Sequence, residues 1–334
     1  MATKKLLLMT TGGTIASEVS NTGLIPRENG QNLLDQLGNI PYDITVKDIL
    51  KIDSSNMQPE EWQLIAKQIF KARQDYDGIV ISHGTDTMAY TASMLSFMLQ
   101  NIEIPVVLTG SQVPINVVLS DAAANLKLAF AAAATCPPGI YLAFNRKIML
   151  GCRSVKVRTT NFDAFESVNV PPVAEVTSEG IVFHSQTPPQ SAVPCQLQDQ
   201  IDTHVALVKL FPGFDPRILY AMVDRGCRGI VIEAYGLGGM TFIRRNLVAV
   251  VGKLIKQGIP IITTSQCLYE RSDLTKYEVG RLALMEGAIS AHDMTSESAI
   301  TKLMWALGQG MDIKAVTKLF NTNLVGEVTL QSNN

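Results

Sequence analysis

Short apolar runs alternate with segments of helical periodicity along most of the chain. The runs KLLLM (5–9), GIVIS (78–82) and PVVLTG (105–110) have the length of strands and show no polar alternation. Between the first two runs, residues 59–74 place apolar side chains at helical spacing, with a proline in the first turn. Strands that are apolar on both faces and separated by helices predict a parallel sheet covered on both sides.

The same alternation returns in the second half of the chain. Its strand-like runs are VALVKLF (205–211), GIVIEAYG (229–236), PIITTSQ (260–266) and GAIS (287–290). The stretch between the halves, 186–203, has three prolines and neither period, which is typical of a linker. The sequence therefore predicts an α/β protein with a larger N-terminal, doubly wound, mostly parallel sheet domain at 1–185, a linker at 186–203 and a smaller C-terminal α/β domain at 204–334.

Length and charge narrow the class of protein. A chain of 334 residues is long enough for two cores, and 46% hydrophobic against 17% charged residues excludes an intrinsically disordered protein. A formal net charge of -2 gives no general attraction for nucleic acid or anionic lipid, so we expect neither as a partner. A small-molecule partner is favoured instead.

The N-terminus and the cysteines bear on location. Two lysines precede LLLM, but that run is shorter than the core of a secretion signal, and no uncharged run is long enough to span a membrane. The five cysteines form no C-x-x-C pair and are an odd number. We therefore expect a cytoplasmic protein in which the cysteines serve packing.

Candidate chemistry collects just after the predicted strands. In doubly wound sheets, ligands bind beyond the carboxyl ends of the strands. The segments at those ends are TTGGT (10–14), DSSNM (53–57), HGTD (83–86) and GSQ (110–112). Each segment alone is more often a tight turn or a helix cap, but their recurrence at successive strand ends favours a site. His83 is the obvious base, although a lone histidine at a strand end more often caps or packs.

Several familiar sites are absent from the sequence. No G-x-x-x-x-G-K-[ST] loop, no complete G-x-G-x-x-G, no G-x-S-x-G elbow and no close pair of histidines occurs. What remains is a threonine hydroxyl, which needs a base before it becomes a nucleophile. Lys156 is a candidate for that base, and the alternative is a solvated lysine on a strand.

Together these segments resemble the bacterial-type L-asparaginases, specifically the cytoplasmic type I group. The residues that carry the resemblance are TGGTIAS (11–17), DSSNMQPEEW (53–62), HGTDTMAYTASMLSFML (83–99), TGSQVP (109–114) and RSVKVRTTNFDAFES (153–167). Similarity continues through IEAYGLGG, TTSQC and YEVGR, so it covers nearly the whole chain.

The resemblance implies a hydrolase without a metal or organic cofactor. It implies that Thr14 attacks the side-chain amide of L-asparagine to form a β-aspartyl ester, which water converts to L-aspartate. It also implies a supporting catalytic group of Thr85, Asp86 and Lys156, and substrate-binding residues Asp53, Ser54, Ser55, Thr85 and Asp86. A homo-oligomer, either a dimer or a homotetramer built as a dimer of dimers, is implied as well.

Two positions depart from the pattern of these enzymes. Many members carry a tyrosine on a loop near the nucleophile, where this chain has Leu24, and a leucine accepts no proton. Some type I members have an allosteric asparagine site with an arginine before Tyr-Gly and a threonine in T-Q-C. Here Glu233 and Ser265 take those positions, so we expect no allosteric site of that form.

Two other functions remain as alternatives. A glutamine amidase that supplies ammonia, as in tRNA-dependent amidotransferases, shares this fold, but we expect such a subunit to have more chain before TGGT, which starts here at residue 11. A non-catalytic amino-acid sensor would keep the pocket, and Leu24 is the feature in its favour.

Overall fold

The computed structural model describes residues 3–20, 23–26, 28–184, 188–189 and 191–330, with the backbone alone at 18–20 and 23–26. The chain forms two compact units, 1–199 and 200–334. Each unit has its own parallel sheet and its own helices.

The first unit is built on a sheet of eight strands among its described residues. Its strands and hairpins are β1 (Lys5–Gly12), β2 (Ser17–Ser20), β3 (Gly23–Pro26), β4 (Asp43–Ile52), β5 (Gly78–Ser82), β6 (Pro105–Thr109), β7 (Gly139–Phe144), β8 (Lys147–Leu150), β9 (Ser154–Lys156), β10 (Phe165–Ser167), β11 (Ala174–Thr177) and β12 (Gly180–Phe183). The order across the large sheet is β12-β11-β8-β7-β6-β5-β1-β4, and β2 with β3 and β9 with β10 form separate hairpins.

Most of the large sheet is parallel. The pairs from β4 through β7 are parallel, and β8, β11 and β12 extend the sheet with antiparallel pairs. Every residue of β5, β6 and β7 is buried, so both faces of the sheet are covered there. The predicted doubly wound, mostly parallel architecture is confirmed.

The helices of the first unit follow the strands. They are α1 (Gly30–Asp35), α2 (Pro59–Ala72), α3 (Met88–Met98) and α4 (Ala122–Thr135). Pro59 opens α2 in its first turn, where the missing N–H costs nothing, and Glu61 completes a capping box with Gln58. Helices α3 and α4 both pack on β6 and β7, and both are apolar on most of their surface. They therefore form part of the core rather than an amphipathic cover.

The second unit is smaller and its sheet is wholly parallel among the described residues. Its strands are β13 (Val205–Lys209), β14 (Gly229–Ala234), β15 (Ile261–Ser265) and β16 (Ile289–Ser290), paired in that order. Its helices are α5 (Arg217–Asp224), α6 (Leu247–Lys256), α7 (Glu278–Met285), α8 (Ser296–Gly308) and α9 (Ile313–Phe320). The predicted smaller α/β domain is therefore present.

The stretch around the predicted linker has no helix or strand among its described residues, 188–189 and 191–203. It nevertheless packs on the first unit, because Cys195 is buried and its N–H donates to Glu103, and the N–H of Gln198 donates to the carbonyl of Met98. The exact boundaries at 185 and 204 stay a prediction, since 185–187 and 190 lie outside the described residues. Nowhere in the described chain is a helix both long and apolar enough to cross a bilayer.

Candidate active site

The sheet order places the polar strand ends side by side. β4, β1, β5 and β6 are neighbours and run parallel, so their carboxyl ends meet at one edge. From β1 the chain passes to β4 on one side of β1 and later to β5 on its other side, so the strand order reverses at β1. Doubly wound sheets bind their ligands beside such a reversal of strand order. The structure thus brings the turns at 10–14, 53–57, 83–86 and 110–112 together along one edge.

Glycines let three of these turns approach within contact distance. Gly13 has φ 80°, and a Cβ there would collide with the backbone of Gly84. A Cβ on Gly84 would lie 2.5 Å from Ser54 Oγ and 3.2 Å from the Cα of Gly13. Only hydrogen atoms fit between these backbones, so glycine is required for packing as well as for conformation.

Thr14 opens a 3-10 turn, Thr14–Ala16, directly after β1. The hydroxyl of Ser17 donates to the carbonyl of Gly13 at 2.9 Å, and the N–H of Ile115 donates to the carbonyl of Ile15 at 3.4 Å. Thr14 itself is partly exposed, while Ile15 and Ala16 are buried. The turn therefore anchors its apolar residues in the core and leaves Thr14 at the surface of the site.

Lys156, Thr85 and Asp86 form one polar cluster. The ammonium of Lys156 donates to Thr85 Oγ1 at 2.8 Å and to Asp86 Oδ1 at 2.6 Å. The side chain of Lys156 is 17% exposed and that of Asp86 is 58% exposed, so the charge pair has one sheltered and one open partner. β9 carries Lys156 and pairs with the buried Phe165 of β10, which fixes the lysine's direction.

The segment after β4 lies against this cluster. Asp53 caps the 3-10 turn Ser54–Asn56 through the N–H of Ser55, at 2.8 Å. The hydroxyl of Ser55 donates to Asp86 Oδ2 at 3.4 Å, and Ser54 is buried, with its hydroxyl accepting from the N–H of Asp86 at 3.3 Å. Asp53 and Ser55 are exposed at this edge, where a small ligand would reach them.

His83 lies beneath the turn and faces the core. It is fully buried, and burial lowers its pKa to about 4. Its Nδ1 lies 2.7 Å from the carbonyl oxygen of Gly84, which only accepts, so Nδ1 carries the proton. Its Nε2 accepts from the hydroxyl of Thr91 at 2.9 Å, and that hydroxyl accepts from the indole N–H of Trp62 at 2.9 Å. The ring is a neutral structural element.

Gln112 contacts the cluster, although sequence reasoning noted it only as part of a strand end. Its Oε1 lies 3.4 Å from Thr85 Oγ1, and its Nε2 donates to the carbonyls of Thr159 and Asn161. Two sequence signals point to it, namely its position shortly beyond the end of β6 and its place in the TGSQVP segment.

The two departures concern Leu24 in the first unit and Glu233 with Ser265 in the second. The side chain of Leu24 is outside the part of the chain that the structure describes. Glu233, on β14, accepts from the hydroxyl of Ser296 at 2.7 Å and lies 3.7 Å from the ammonium of Lys209. Ser265 donates to the carbonyl of Gly236 at 2.6 Å. Both side chains thus have partners within their own unit, and loss of the allosteric site stays a prediction.

The side chains of the site are hydroxyls, an amine and carboxylates. Over the described residues, no group of three or more histidine, cysteine, aspartate or glutamate side chains is arranged to hold a metal ion. The arrangement offers hydroxyls, one amine and carboxylates beside tight backbone turns, which suits attack on a carbonyl and binding of a zwitterionic ligand.

Two family models match the chain in tandem. One is described as "Asparaginase, N-terminal" and matches residues 5–189, and the other as "Glutaminase/Asparaginase C-terminal domain" and matches residues 204–320.

Individual relatives extend the match to the whole chain. The L-asparaginase of Thermococcus kodakarensis is 44% identical over 328 residues, covering 97% of this chain and 99% of that protein. The solved structure of a thermostable L-asparaginase from the same organism has a TM-score of 0.93 at 43% identity, covering 98% of this chain and 100% of that chain.

More distant relatives carry two different names. L-asparaginase 1 of Escherichia coli is 33% identical over 338 residues, covering 98% of this chain and 99% of that protein. A glutamyl-tRNA(Gln) amidotransferase subunit of T. kodakarensis is 37% identical over 337 residues, covering 96% of this chain but only 76% of that protein. The first agrees with the type I resemblance of the sequence.

Proposed function

Because this chain belongs to the asparaginase family, we propose that it is an L-asparaginase, which hydrolyses the side-chain amide of L-asparagine to L-aspartate and ammonia. The observation that carries the proposal is the Lys156, Thr85 and Asp86 cluster at the strand ends next to the turn of Thr14. No cofactor takes part in the proposed reaction.

The first step forms a covalent ester. The hydroxyl of Thr14 attacks the amide carbon, and its proton passes to the neutral amine form of Lys156, which becomes the ammonium paired with Thr85. The same pair delivers a proton to the departing nitrogen, so the C–N bond breaks, ammonia leaves and Thr14 carries a β-aspartyl group. Water then attacks the ester carbon, its proton returns to the oxygen of Thr14 through the pair, and aspartate is released.

The turns supply stabilisation of the negative oxygen in each step. The backbone N–H groups of Thr14, Gly84 and Thr85 lie where the two glycine turns meet. One such donor, aimed at the oxyanion, contributes about 3 to 4 kcal/mol in a comparable acyl-transfer site.

The charged ends of asparagine match the outer part of the site. Asp86 Oδ1 is paired with Lys156, while the one contact of its Oδ2 within the described part of the chain is the long one from Ser55, so this oxygen is open to a substrate ammonium. The hydroxyls of Ser54 and Ser55 and the carboxylate of Asp53 complete the proposed contacts to the α-amine and α-carboxylate.

We further propose a cytoplasmic homo-oligomer, either a dimer or a dimer of dimers. All five cysteines are free thiols, which suits a reducing compartment. Large apolar side chains are exposed on the second unit, among them Ile243 at 83%, Tyr277 at 65% and Met285 at 81%. Such exposure is typical of a surface that is covered in an assembly. Light scattering of the purified protein gives the mass, and a monomer at micromolar concentration contradicts this part of the proposal.

Ammonia release tests the proposed activity. L-Asparagine, L-glutamine and buffer are assayed with the wild-type protein and with Thr14→Ala. We expect ammonia from asparagine, and a loss of at least about 10³-fold in kcat for the variant, because no other hydroxyl replaces the nucleophile.

Thr135→Ala is the matched control. This substitution removes a threonine hydroxyl from the last residue of α4, at the amino ends of the strands. That hydroxyl donates to the carbonyl of Ala131. The variant should keep wild-type activity. Binding of asparagine without ammonia would select the sensor function, and ammonia from glutamine alone would select the amidotransferase-like function.

A further inference from the structure

The side-chain amide of Gln112 has a fixed orientation. Its Nε2 lies 3.2 Å from the carbonyl oxygen of Thr159 and 3.0 Å from that of Asn161. Both amide hydrogens are therefore used on carbonyls, and a flipped amide would set its oxygen against two oxygens. The Oε1 of Gln112 must face Thr85.

That orientation decides where the hydrogen of the Thr85 hydroxyl points. Lys156 donates to Thr85 Oγ1 at 2.8 Å, and an ammonium accepts nothing. The one hydrogen of Thr85 is therefore directed to Gln112 Oε1, at 3.4 Å. A contact of this length is weak, so it orients the hydroxyl without preventing the hydrogen from turning to another acceptor.

The backbone of Gln112 is anchored as well. Both carboxylate oxygens of Asp121, the residue before α4, accept from the N–H of Gln112 at 3.1 Å, and one also accepts from the N–H of Val113. Asp121 is itself held by the amide of Asn125 at 3.0 Å. Gln112 thus joins a rigid helix start, the turn that carries Thr85 and the tip of the hairpin that carries Lys156.

We infer that Gln112 is a positioning residue for the relay of Lys156 and Thr85. Its Oε1 holds the hydroxyl hydrogen of Thr85 away from Lys156, so that the hydroxyl oxygen stays the acceptor of the ammonium. Its Nε2 holds the tip of the β9–β10 hairpin against the site. After Lys156 has taken the proton of Thr14, the hydrogen of Thr85 turns from Gln112 to the departing nitrogen, and a proton of the Lys156 ammonium replaces it on the oxygen of Thr85. The inference rests on the proposed function, because it assigns Gln112 a part in that reaction.

Two substitutions with different chemistry test this role. Gln112→Met keeps the length of the side chain and removes both contacts. We expect kcat for asparagine to fall about 10- to 100-fold with KM changed less than about 3-fold, because the groups proposed to hold the substrate's charged ends are untouched. Gln112→Glu keeps an acceptor toward Thr85 but replaces the donating Nε2 with an oxygen that faces the carbonyls of Thr159 and Asn161. We expect kcat to fall again with KM nearly unchanged, because the tip of the hairpin is no longer held against the site.

Arg158→Met is the matched control. The guanidinium of Arg158 joins the same hairpin through the carbonyl of Asp163 and the carboxylate of Glu166, without contacting Thr85. Loosening the hairpin alone should leave kcat within about 3-fold of wild type.

Each outcome bears on one proposal. A folded Gln112→Met or a folded Gln112→Glu with kcat within about 2-fold of wild type overturns the inference. If the wild type releases no ammonia from asparagine, the proposed function fails instead. If Thr85→Ala keeps full activity on asparagine, the relay and the inference fail while the proposed function stands. Circular dichroism and thermal unfolding establish that each variant is folded.

Discussion

His83 and Thr85 lie two residues apart and differ in what surrounds them. Burial holds the pKa of His83 far below its usual value, and both ring nitrogens are committed to Gly84 and Thr91. Thr85 is buried too, but its hydroxyl faces Lys156 at the ligand edge. The more basic side chain is therefore a packing element, and the hydroxyl is the candidate for chemistry.

The neutral state of His83 makes the stability of the protein depend on pH. Its pKa is lowered from 6.5 to about 4 in the folded state, so the unfolded chain binds the proton more readily between those values. The stabilisation is complete above pH 6.5 and is lost as pH falls toward 4, by about 3 kcal/mol in total. Urea unfolding from pH 7 to pH 4 measures it.

Two variants isolate that contribution. His83→Gln should lower stability at pH 7 and show a shallower fall toward pH 4, because the titrating group is gone. Thr135→Ala, which removes a hydroxyl and no titrating group, should keep the wild-type slope. Equal slopes for wild type and His83→Gln would show that the ring is not held neutral.

At the scale of elements, the site depends on how closely the turns can approach. The sequence predicts the parallel strands that lead into the site and the turns that follow them, because apolar runs and glycines are local signals. It does not predict which turns touch, since contact between 12–14 and 83–86 depends on β1 and β5 being neighbours in the sheet. The role of Gln112 escapes sequence reasoning for the same reason, because its partners lie on the turn after β5 and on the β9–β10 hairpin.

Gly84→Ala tests the close approach of the turns. Its Cβ would lie 2.7 Å from the Cβ of Ser54 and 3.2 Å from the Cα of Gly13, so the turns must separate. We expect about 1 to 3 kcal/mol of destabilisation and a fall of about 10²-fold in kcat/KM, because reacting groups are displaced.

Gly38→Ala is the comparison for that experiment. Gly38 has φ 68°, and no atom lies within 4 Å of the Cβ that alanine would add. Gly38→Ala should therefore lower the free energy of unfolding by only the strain of the backbone conformation, about 1 kcal/mol. Its kcat/KM should equal that of wild type. If Gly84→Ala also keeps full activity, the spacing of the turns is not critical.

At the scale of the whole molecule, the end of the chain is tied to the second unit by a buried charge pair. Lys302 on α8 and Glu327 are both fully buried and bonded to each other, and Lys302 also donates to the carbonyl of Thr322 at 3.0 Å. Glu327 accepts from the N–H groups of Leu324 and Val325. The pair thus orders the segment that follows α9.

Removing one charge of the Lys302 and Glu327 pair should lower the free energy of unfolding far more than removing both. Lys302→Met leaves a buried carboxylate without its cation, and we expect about 3 to 5 kcal/mol of destabilisation. Lys302→Met combined with Glu327→Gln removes the stranded charge and keeps an acceptor for Leu324, so much of that loss should be recovered. Chemical unfolding of the single and double variants measures the difference, and additive losses would contradict the argument.

The sequence by itself determined the two parallel sheets, the family and the strand ends that carry Thr14, Thr85 and Asp86. These follow from local signals, namely apolar runs of strand length, glycine turns and recognisable segments. Only the tertiary structure decided that Lys156 donates to Thr85 and Asp86, that His83 is enclosed and that Gln112 completes the cluster. Lys156 is 71 residues from Thr85 in the chain, so their contact is set by the packing of the hairpin against the sheet edge, which no local pattern encodes.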